Sequence, residues 1–247
     1  MMNRILRYAL FEGKTFFRVK TAAFYSILFP AMLLLGYYFS YKNTGNIDGI
    51  NRYFPYLISI TMISTAAGLS YVIVNNRIYN MWKFYQFFGY HPAYLAFASG
   101  VVYFVISIGI CTILTMIMLI ILKTADISFW RLLVFSGGIG LGSVIYIQLA
   151  VIVGLCINES RLAQTVNTVL IYIYIILSGT IFRFDWESMV GKIVNVFPNI
   201  HIGHILSDVW NGDTIRYQSI MIIGIYVIVF TIIITLLIRR EYKKMLY

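Results

Sequence analysis

The chain has 247 residues, of which 60% are hydrophobic and 11% are charged, whereas a soluble domain carries about 25% charged residues. This composition argues against an ordinary soluble enzyme or binding domain and predicts an all-α polytopic membrane protein built as a single transmembrane domain, residues 1–247. The formal net charge of +10 would suit nucleic acid binding in a soluble protein, but in a membrane protein the loop positions of the basic residues have to be considered first.

The N-terminal segment, residues 1–20, mixes apolar and basic side chains. This mixture predicts an amphipathic helix that lies in the cytoplasmic interface on anionic lipid. It is not a signal peptide, because no small-residue cleavage site follows a short apolar core. The run Gly13-Lys14-Thr15 matches the end of a phosphate loop, but that motif needs a glycine five residues before Gly13, and position 8 is Tyr8. We therefore expect no nucleotide site in this segment.

Six apolar segments are predicted to cross the membrane, since about 20 residues of helix span a bilayer core. They are residues 22–41, 54–74, 96–122, 132–157, 165–182 and 220–238. Pro30 in the first of them predicts a kink against a neighbouring helix. The central parts of the six segments contain no Asp, Glu, Lys or Arg, which argues against an ion-coupled carrier and against an intramembrane hydrolase.

The basic residues are distributed unequally between the two sides of these six spans. One side holds 12 of the 19 basic residues with only three acidic ones, Glu12, Glu159 and Glu241. By the positive-inside rule this side is cytoplasmic, both termini included, in a plasma membrane. The net charge is thus explained by topology, and nucleic acid is not an expected partner.

The longest cytoplasmic loop, residues 75–95, is too polar for a span and too aromatic for a solvated linker. It predicts a short helix whose Trp82, Phe84, Tyr85 and Phe88 face something other than water. One interpretation is an interfacial helix that rests on lipid headgroups. The other is a helix that docks onto a partner protein.

The fourth span contains Gly138 and Gly142. A dinucleotide-binding fingerprint would need a preceding strand and a helix start in water, so these glycines instead predict a surface for close helix packing. Cys111 and Cys156 both lie in predicted spans and are expected to be packing residues rather than a disulfide.

After the fifth span, residues 185–217 are apolar but interrupted by polar residues and by Pro198. The proline predicts two short helices in an external re-entrant hairpin, because it cannot continue a helix and broken backbone at membrane depth must face protein or water. His201 and His204 could hold a metal ion with Asp208 as a third ligand, but an interfacial structural role is favoured. We expect no metal and no cofactor on this chain.

The run Ser178-Gly179-Thr180 at the end of a helix, followed by a weakly apolar hairpin around Pro198-Asn199, resembles the permease subunits of bacterial ABC-2 type exporters. The resemblance implies the ABC-2 permease fold, in which the loop 75–95 holds the coupling helix for the ATPase. The ATPase-coupling residues that it implies are Arg77, Tyr79, Trp82, Lys83, Tyr85, Gln86, Phe88, Gly89, His91, Pro92, Glu159 and Arg161. The candidates for the pathway or its external lid are Tyr172, Tyr174, Ser178, Gly179, Pro198, Asn199 and His201.

The function implied by this resemblance is the transmembrane subunit of an ATP-driven exporter. Two ATPase copies would bind ATP and Mg²⁺, and a second permease, identical or sister, would complete the transmembrane dimer. The expected substrate is hydrophobic or amphipathic, preferably a cytolytic or antimicrobial peptide and otherwise a lipid or a drug, as in antimicrobial resistance. The chain itself would not be an enzyme. The alternative is a polytopic membrane enzyme or assembly factor that has no ATPase partner.

Overall fold

The computed structural model describes residues 2–18, 24–44, 47–122, 127–177 and 188–246, and these residues form helices without any strand. A π-helical turn, Phe24–Leu28, leads into the second helix. The α-helices formed by the described residues are α1 (Met2–Arg18), α2 (Phe29–Thr44), α3 (Ile47–Ile78), α4 (Met81–Phe87), α5 (Pro92–Leu122), α6 (Phe129–Cys156), α7 (Ser160–Leu177), α8 (Met189–Val194), α9 (Pro198–Asn211) and α10 (Tyr217–Leu246).

Five of the described helices, α3, α5, α6, α7 and α10, contain segments long and apolar enough to cross a membrane. The chain is therefore a multi-pass, all-α membrane protein. The segment Ser26–Ser40, in the region of the first predicted span, is a shorter apolar helix. A sixth span thus stays a prediction.

The predicted kink near Pro30 corresponds to a change of helix type. The chain is π-helical from Phe24 to Leu28 and becomes α-helical at Phe29. Pro30 has no N–H to donate to the carbonyl four residues earlier, at Ser26, so a regular α-helical hydrogen bond is missing at this point. Proline and π-helical turns are both recognised sites of helix kinks, and here the two are adjacent.

Most helices extend beyond the predicted spans. Helix α3 begins at Ile47 rather than at residue 54, and α10 continues through the basic residues after 238 to Leu246. Hydropathy marks the part of a helix that suits lipid, whereas backbone hydrogen bonding continues into the polar interface. Helix α7 begins at Ser160 instead of residue 165, and residues 178–182 of that predicted span lie outside the described part of the chain.

Helix α3 is the central helix of the molecule. It packs against α2, α5, α6, α7 and α9. Its hydroxyl side chains remain compatible with an apolar environment because they bond to its own backbone: Thr61 Oγ1 donates to the Leu57 carbonyl at 2.9 Å, and Ser64 Oγ donates to the Ile60 carbonyl at 2.8 Å. Polar residues on α3 therefore do not by themselves mark a transport path.

The glycines of α6 are packing positions, as the sequence predicts. A Cβ atom at Gly138 would lie 2.9 Å from Leu206 Cδ2, and one at Gly142 would lie 2.9 Å from both Ile202 Cγ2 and Met62 Cε. The partner packed on this surface is mainly α9, with α3 beside it. The small residues thus admit the helix that follows Pro198 into the interior.

The hairpin has the predicted break, and its second helix packs inside the bundle. Helix α8 ends at Val194 and α9 begins at Pro198, at a position where proline is favoured because the N–H is not needed. Nearly all of α9 is buried, against α3, α6 and α10. Residues 185–187 of the predicted hairpin lie outside the described residues.

The two cysteines have different environments. Cys111 is buried and Cys156, the last residue of α6, is exposed, and both are free. The expectation of a packing role is confirmed for Cys111 and is wrong for Cys156, which lies where α6 leaves the bundle.

Candidate functional site: a polar and aromatic cavity at the end of the bundle that contains α4

One end of the bundle gathers α1, α4, the end of α3, the starts of α5 and α7, and the ends of α6 and α10. Contacts that cross between these elements include Ser160 Oγ donating to Asn75 Oδ1 at 2.5 Å, and the ring of His91 stacked on that of Tyr242 at 4.6 Å. This is the end that the charge distribution predicts to be cytoplasmic.

Helix α1 is held against this end by aromatic contacts. The rings of Phe16 and Tyr103 meet edge to face at 5.5 Å, and those of Tyr8 and Tyr85 do the same at 5.5 Å. Leu10 is exposed on another side of the helix. The predicted amphipathic helix is therefore present, and one of its faces packs on the bundle.

A cavity of about 590 Å³ lies between α1, α3, α4, α5 and α7. Its walls combine aromatic side chains with amide and hydroxyl groups. Gly68 on α3 makes room for one wall, because a Cβ there would lie 3.0 Å from Tyr103 Cε1. The size and the mixed lining are typical of sites for small organic molecules.

Glu12 is the acidic residue in this lining and is only 6% exposed. Its Oε1 accepts a hydrogen bond from the Tyr8 hydroxyl at 2.5 Å, whereas its Oε2 is buried and has no hydrogen-bond partner in the described part of the chain. Burial raises the pKa of Glu12, and the hydrogen bond from Tyr8 together with the nearby polar side chains of Ser99 and Asn76 offsets this only in part. A buried carboxyl group with a hydrogen bond to only one of its oxygens lowers the stability of the folded state, and such groups often occur at functional positions.

Amide side chains form the polar part of the wall. The Asn76 amide donates to the Tyr8 hydroxyl at 3.3 Å, and the Asn167 amide donates to the Ala67 carbonyl at 3.1 Å and also to Ser70 Oγ. These bonds connect α1 to α3 and α7 to α3. The polar groups of the wall are thus held in fixed positions around the cavity.

Arg77 connects three helices beside the cavity. Its Nη1 donates to the Gly154 and Ile157 carbonyls, both at 2.9 Å, and its Nη2 donates to Asn158 Oδ1 at 2.9 Å. Nη2 also lies 3.1 Å from Glu241 Oε2. The guanidinium group therefore caps the end of α6 and pairs with α10, so this predicted coupling residue is occupied by contacts within the chain.

The aromatic residues in and after α4 form two sets, one buried and one exposed. Trp82 is 2% exposed and belongs to the chain's own core. Phe84, Phe87 and Phe88 are exposed, Phe87 by 89%. The prediction that Trp82 forms a docking surface therefore does not match its position, whereas the three phenylalanines have the exposure that docking needs.

The other predicted coupling residues are spread over this end. Lys83, Glu159, Arg161, Tyr79 and Phe88 are exposed, while Tyr85, Gln86 and His91 are partly buried. Gly89, with a φ of 81°, forms the turn into Pro92, the first residue of α5. Their role in coupling stays a prediction.

The predicted pathway tyrosines point in different directions. Tyr172 is exposed and Tyr174 is buried, because residues two apart in a helix lie on different faces. The backbone carbonyl of Tyr174 accepts a hydrogen bond from the Asn199 amide at 3.2 Å. Ser178 and Gly179 lie outside the described residues. Helix α7 lines the cavity with other residues, Gln164, Asn167, Thr168 and Ile171.

His201 connects the break in the hairpin to α10. Its Nε2 lies 2.7 Å from the Asn195 carbonyl, to which it donates, so Nδ1 accepts from Ser219 Oγ at 3.2 Å. Burial lowers the pKa of His201, and burial with the nearby Arg216 charge lowers that of His204 to about 4. Asp208 pairs with Arg216 at 3.4 Å. Among the described residues no group of three metal-binding side chains is found.

The cavity is not among the sequence-based predictions, although the sequence contains one signal for it. Tyr8, Glu12 and Phe16 are four residues apart and so lie on one face of α1. A carboxylate between two aromatic residues on the apolar face of a basic helix indicates that this face meets protein rather than lipid. The contributions of α3, α5 and α7 depend on tertiary packing and leave no comparable pattern.

Comparison of the chain with protein-family models, with curated proteins and with solved structures gives no match.

Proposed function

We propose that this chain is the transmembrane subunit of an ATP-driven exporter and that α4 is the element that docks onto a separate ATPase subunit. The observation that carries the proposal is the combination, in one short helix and its C-cap residue, of a buried anchor, Trp82, and an exposed row, Phe84, Phe87 and Phe88. The resemblance to ABC-2 permeases in the hairpin region supports the same assignment.

A coupling helix must transmit movement, so it must be attached firmly to the spans. Trp82 lies in the core, the Tyr85 ring contacts Tyr8 at 5.5 Å, and Arg77 binds the ends of α6 and α10 just before α4 begins. A force applied to α4 would therefore reach several helices together. A helix that merely rested on lipid would not need this attachment.

The outward face of α4 suits a protein partner. The rings of Phe84 and Phe88 contact each other at 5.1 Å, and Lys83 beside them is exposed. Clustered aromatic residues account for much of the binding energy in protein interfaces. A lipid interface would also accept these rings, so the two partners must be distinguished by experiment.

The energy for transport would come from ATP on the partner. The apolar segments that could cross the membrane have no charged residue in their central parts, so an ion gradient has no evident coupling group. A second permease, identical or sister, would complete the pathway. Helix α9, buried between α3, α6 and α10, would close the external end.

The test is co-purification with an ATPase encoded by a neighbouring reading frame that carries a phosphate-loop motif. We expect the native chain to retain this subunit and Phe84→Ala/Phe87→Ala/Phe88→Ala to lose it by about tenfold or more, because interface aromatics contribute ~1–2 kcal/mol or more each. The triple variant should still reach the membrane, since these side chains are exposed.

The matched control is Phe129→Ala/Trp130→Ala, which removes two equally exposed aromatic residues at the opposite end of the bundle. It should leave co-purification unchanged. If the native chain retains no ATPase, the exporter proposal is wrong. Undiminished binding by the triple variant would instead mean that α4 lies on lipid and that the ATPase docks elsewhere.

A further inference from the structure

The cavity beside α1 contains an anionic group that has no counter-ion among its described neighbours. The residues that line the cavity include Glu12 and no Lys, Arg or His in the part of the chain that the structure describes. Glu12 is 6% exposed, and its Oε2 has no hydrogen-bond partner among the residues that the structure describes. A buried carboxylate is stabilised by a positive charge placed against it, so this cavity favours a cation and disfavours an anion.

The walls favour an organic cation over a metal ion. Tyr8, Phe11, Tyr71, Tyr85 and Tyr103 supply aromatic surface around the cavity. Aromatic rings attract ammonium-type cations through their negative faces, and they also cover hydrocarbon. A metal ion would need several oxygen, nitrogen or sulfur ligands at about 2 Å, and the described residues contain no group of three His, Cys, Asp or Glu side chains that could hold one.

The volume indicates the size of the ligand. A cavity of about 590 Å³ is much larger than an inorganic ion and fits a drug-sized molecule or one amphipathic segment of a larger one. The side-chain amides of Asn75, Asn76 and Gln164 line part of the wall, and their oxygens can accept hydrogen bonds from an ammonium group.

We propose that this cavity binds a lipophilic organic cation, with Glu12 as its counter-ion and the aromatic residues of α1, α3, α4 and α5 around its apolar body. The identification of this cation as the exported substrate rests on the proposed transport function, whereas its binding does not. The same chemistry is present in two sources, a free amphipathic cation and the ammonium headgroup of a membrane lipid.

The binding test compares two ions of equal shape and opposite charge, tetraphenylphosphonium and tetraphenylborate. Each is dialysed to equilibrium against the purified full chain in a non-ionic detergent, with detergent micelles alone as the blank. We expect saturable binding of the phosphonium ion, about tenfold or more tighter than that of the borate ion. Equal affinities, or tighter borate binding, would overturn the proposal.

Two variants and one control locate the site. Glu12→Gln keeps the shape and should reduce phosphonium affinity about tenfold without weakening borate binding. Thr168→Trp on α7 should weaken the binding of both ions, because the larger side chain fills the cavity. This variant keeps the proposal testable if Glu12→Gln does not fold. Asp213→Asn removes an exposed acid outside the cavity and should change neither affinity. If both Glu12→Gln and Thr168→Trp bound phosphonium with native affinity, the proposal that this cavity is the binding site would be wrong.

Two further arms distinguish the sources and separate this inference from the transport function. Competition by phosphatidylethanolamine but not by phosphatidylglycerol would identify the lipid headgroup as the ligand; competition by neither would identify a free cation. When the partner ATPase is bound, phosphonium should stimulate ATP hydrolysis by the complex that contains the native chain and not by the complex that contains Glu12→Gln. Binding without stimulation would confirm the site and refute the cation's assignment as substrate. Failure of the native chain to co-purify with an ATPase would refute only the transport function.

Discussion

Arg77 joins α3 to the ends of α6 and α10 because several acceptors converge on one planar guanidinium group. The carbonyls of Gly154 and Ile157 are at the C-terminal end of α6, where backbone oxygens lack helical partners. Glu241 brings the opposite charge from α10. Lysine has one nitrogen and cannot reach these acceptors together.

We therefore predict that Arg77→Lys destabilises the protein although it keeps the charge. The loss should be about 2–3 kcal/mol, since hydrogen bonds to charged groups contribute ~1.5–3 kcal/mol each and the lysine retains some of them. Thermal unfolding in detergent measures the change. Arg161→Lys, at an exposed position on the same end, is the control, and equal melting temperatures for the two variants would contradict the prediction.

The raised pKa of Glu12 makes stability depend on pH in a defined direction. The unfolded group titrates near its ordinary value of 4.5, and burial raises the folded pKa above it. Between these two values the folded state holds a proton that the unfolded state has released. Stability due to this group is therefore highest below the unfolded pKa and falls as pH rises through the folded pKa.

Glu12→Gln removes this titration, because glutamine stays neutral at every pH. We predict that the variant is more stable than the native chain at about pH 8 and equally stable at about pH 4. Melting temperatures of both proteins over this range, without added cation, give the comparison. A stability difference that did not change with pH would show that the carboxylate is already neutralised by a charge in the protein.

Helix α9 is an interior helix, and its position depends on glycines on both sides of the contact. Gly138 and Gly142 of α6 admit Leu206 and Ile202, and a Cβ at Gly203 would lie only 2.5 Å from ring atoms of Tyr56 on α3. The backbones of α3, α6 and α9 approach closely only because these side chains are absent. Close packing of this kind responds to a single methyl group.

We predict that Gly203→Ala costs about 1–3 kcal/mol, the usual range for overpacking, despite the better helix propensity of alanine. Gly224→Ala on α10 is the matched control, since nothing lies within 4 Å of its Cβ position, and it should be neutral or stabilising by up to ~1 kcal/mol. Chemical or thermal unfolding in detergent measures both. Equal stability of the two variants would mean that α9 does not pack on α3 as described.

The whole molecule has two chemically different ends. The end with α4 carries the cavity, the Arg77 contacts and the basic C-terminal part of α10. The other end carries the loop between α9 and α10, in which Arg216 pairs with Asp208 of α9. The excess of basic residues at the first end predicts that it faces the cytoplasm.

Single cysteines test this orientation in intact cells. Lys83→Cys on α4 should react with a membrane-impermeant maleimide only after the membrane is opened, whereas Asp213→Cys should react from outside. Both positions are exposed, and Cys156 must first be replaced by serine because it is exposed as well. The reverse labelling pattern would invert the topology and exclude export driven by a cytoplasmic ATPase at α4.

For the candidate site, the sequence predicted a coupling loop at the end that contains α4 but did not predict the cavity there. It predicted an amphipathic α1 and an aromatic α4, and both are present. It could not show that Trp82 is buried while Phe87 is exposed, or that Glu12 lies inside. In so apolar a chain, the exposure of a side chain depends on which neighbouring helices cover each helix face, and this cannot be predicted from composition.

The class of the protein can be read from its amino-acid sequence, since long apolar segments can satisfy their backbone groups in lipid only as helices. The break at Pro198 can be read in the same way, because proline cannot donate a backbone hydrogen bond. The position of α9 inside the bundle, and the cavity that five helices line around a buried carboxyl group, are visible only in the folded chain. These features depend on close contacts between residues distant in sequence, such as Gly203 with Tyr56 and Tyr103 with Phe16, and helix packing in an apolar chain leaves many pairings open until the side chains are fitted together.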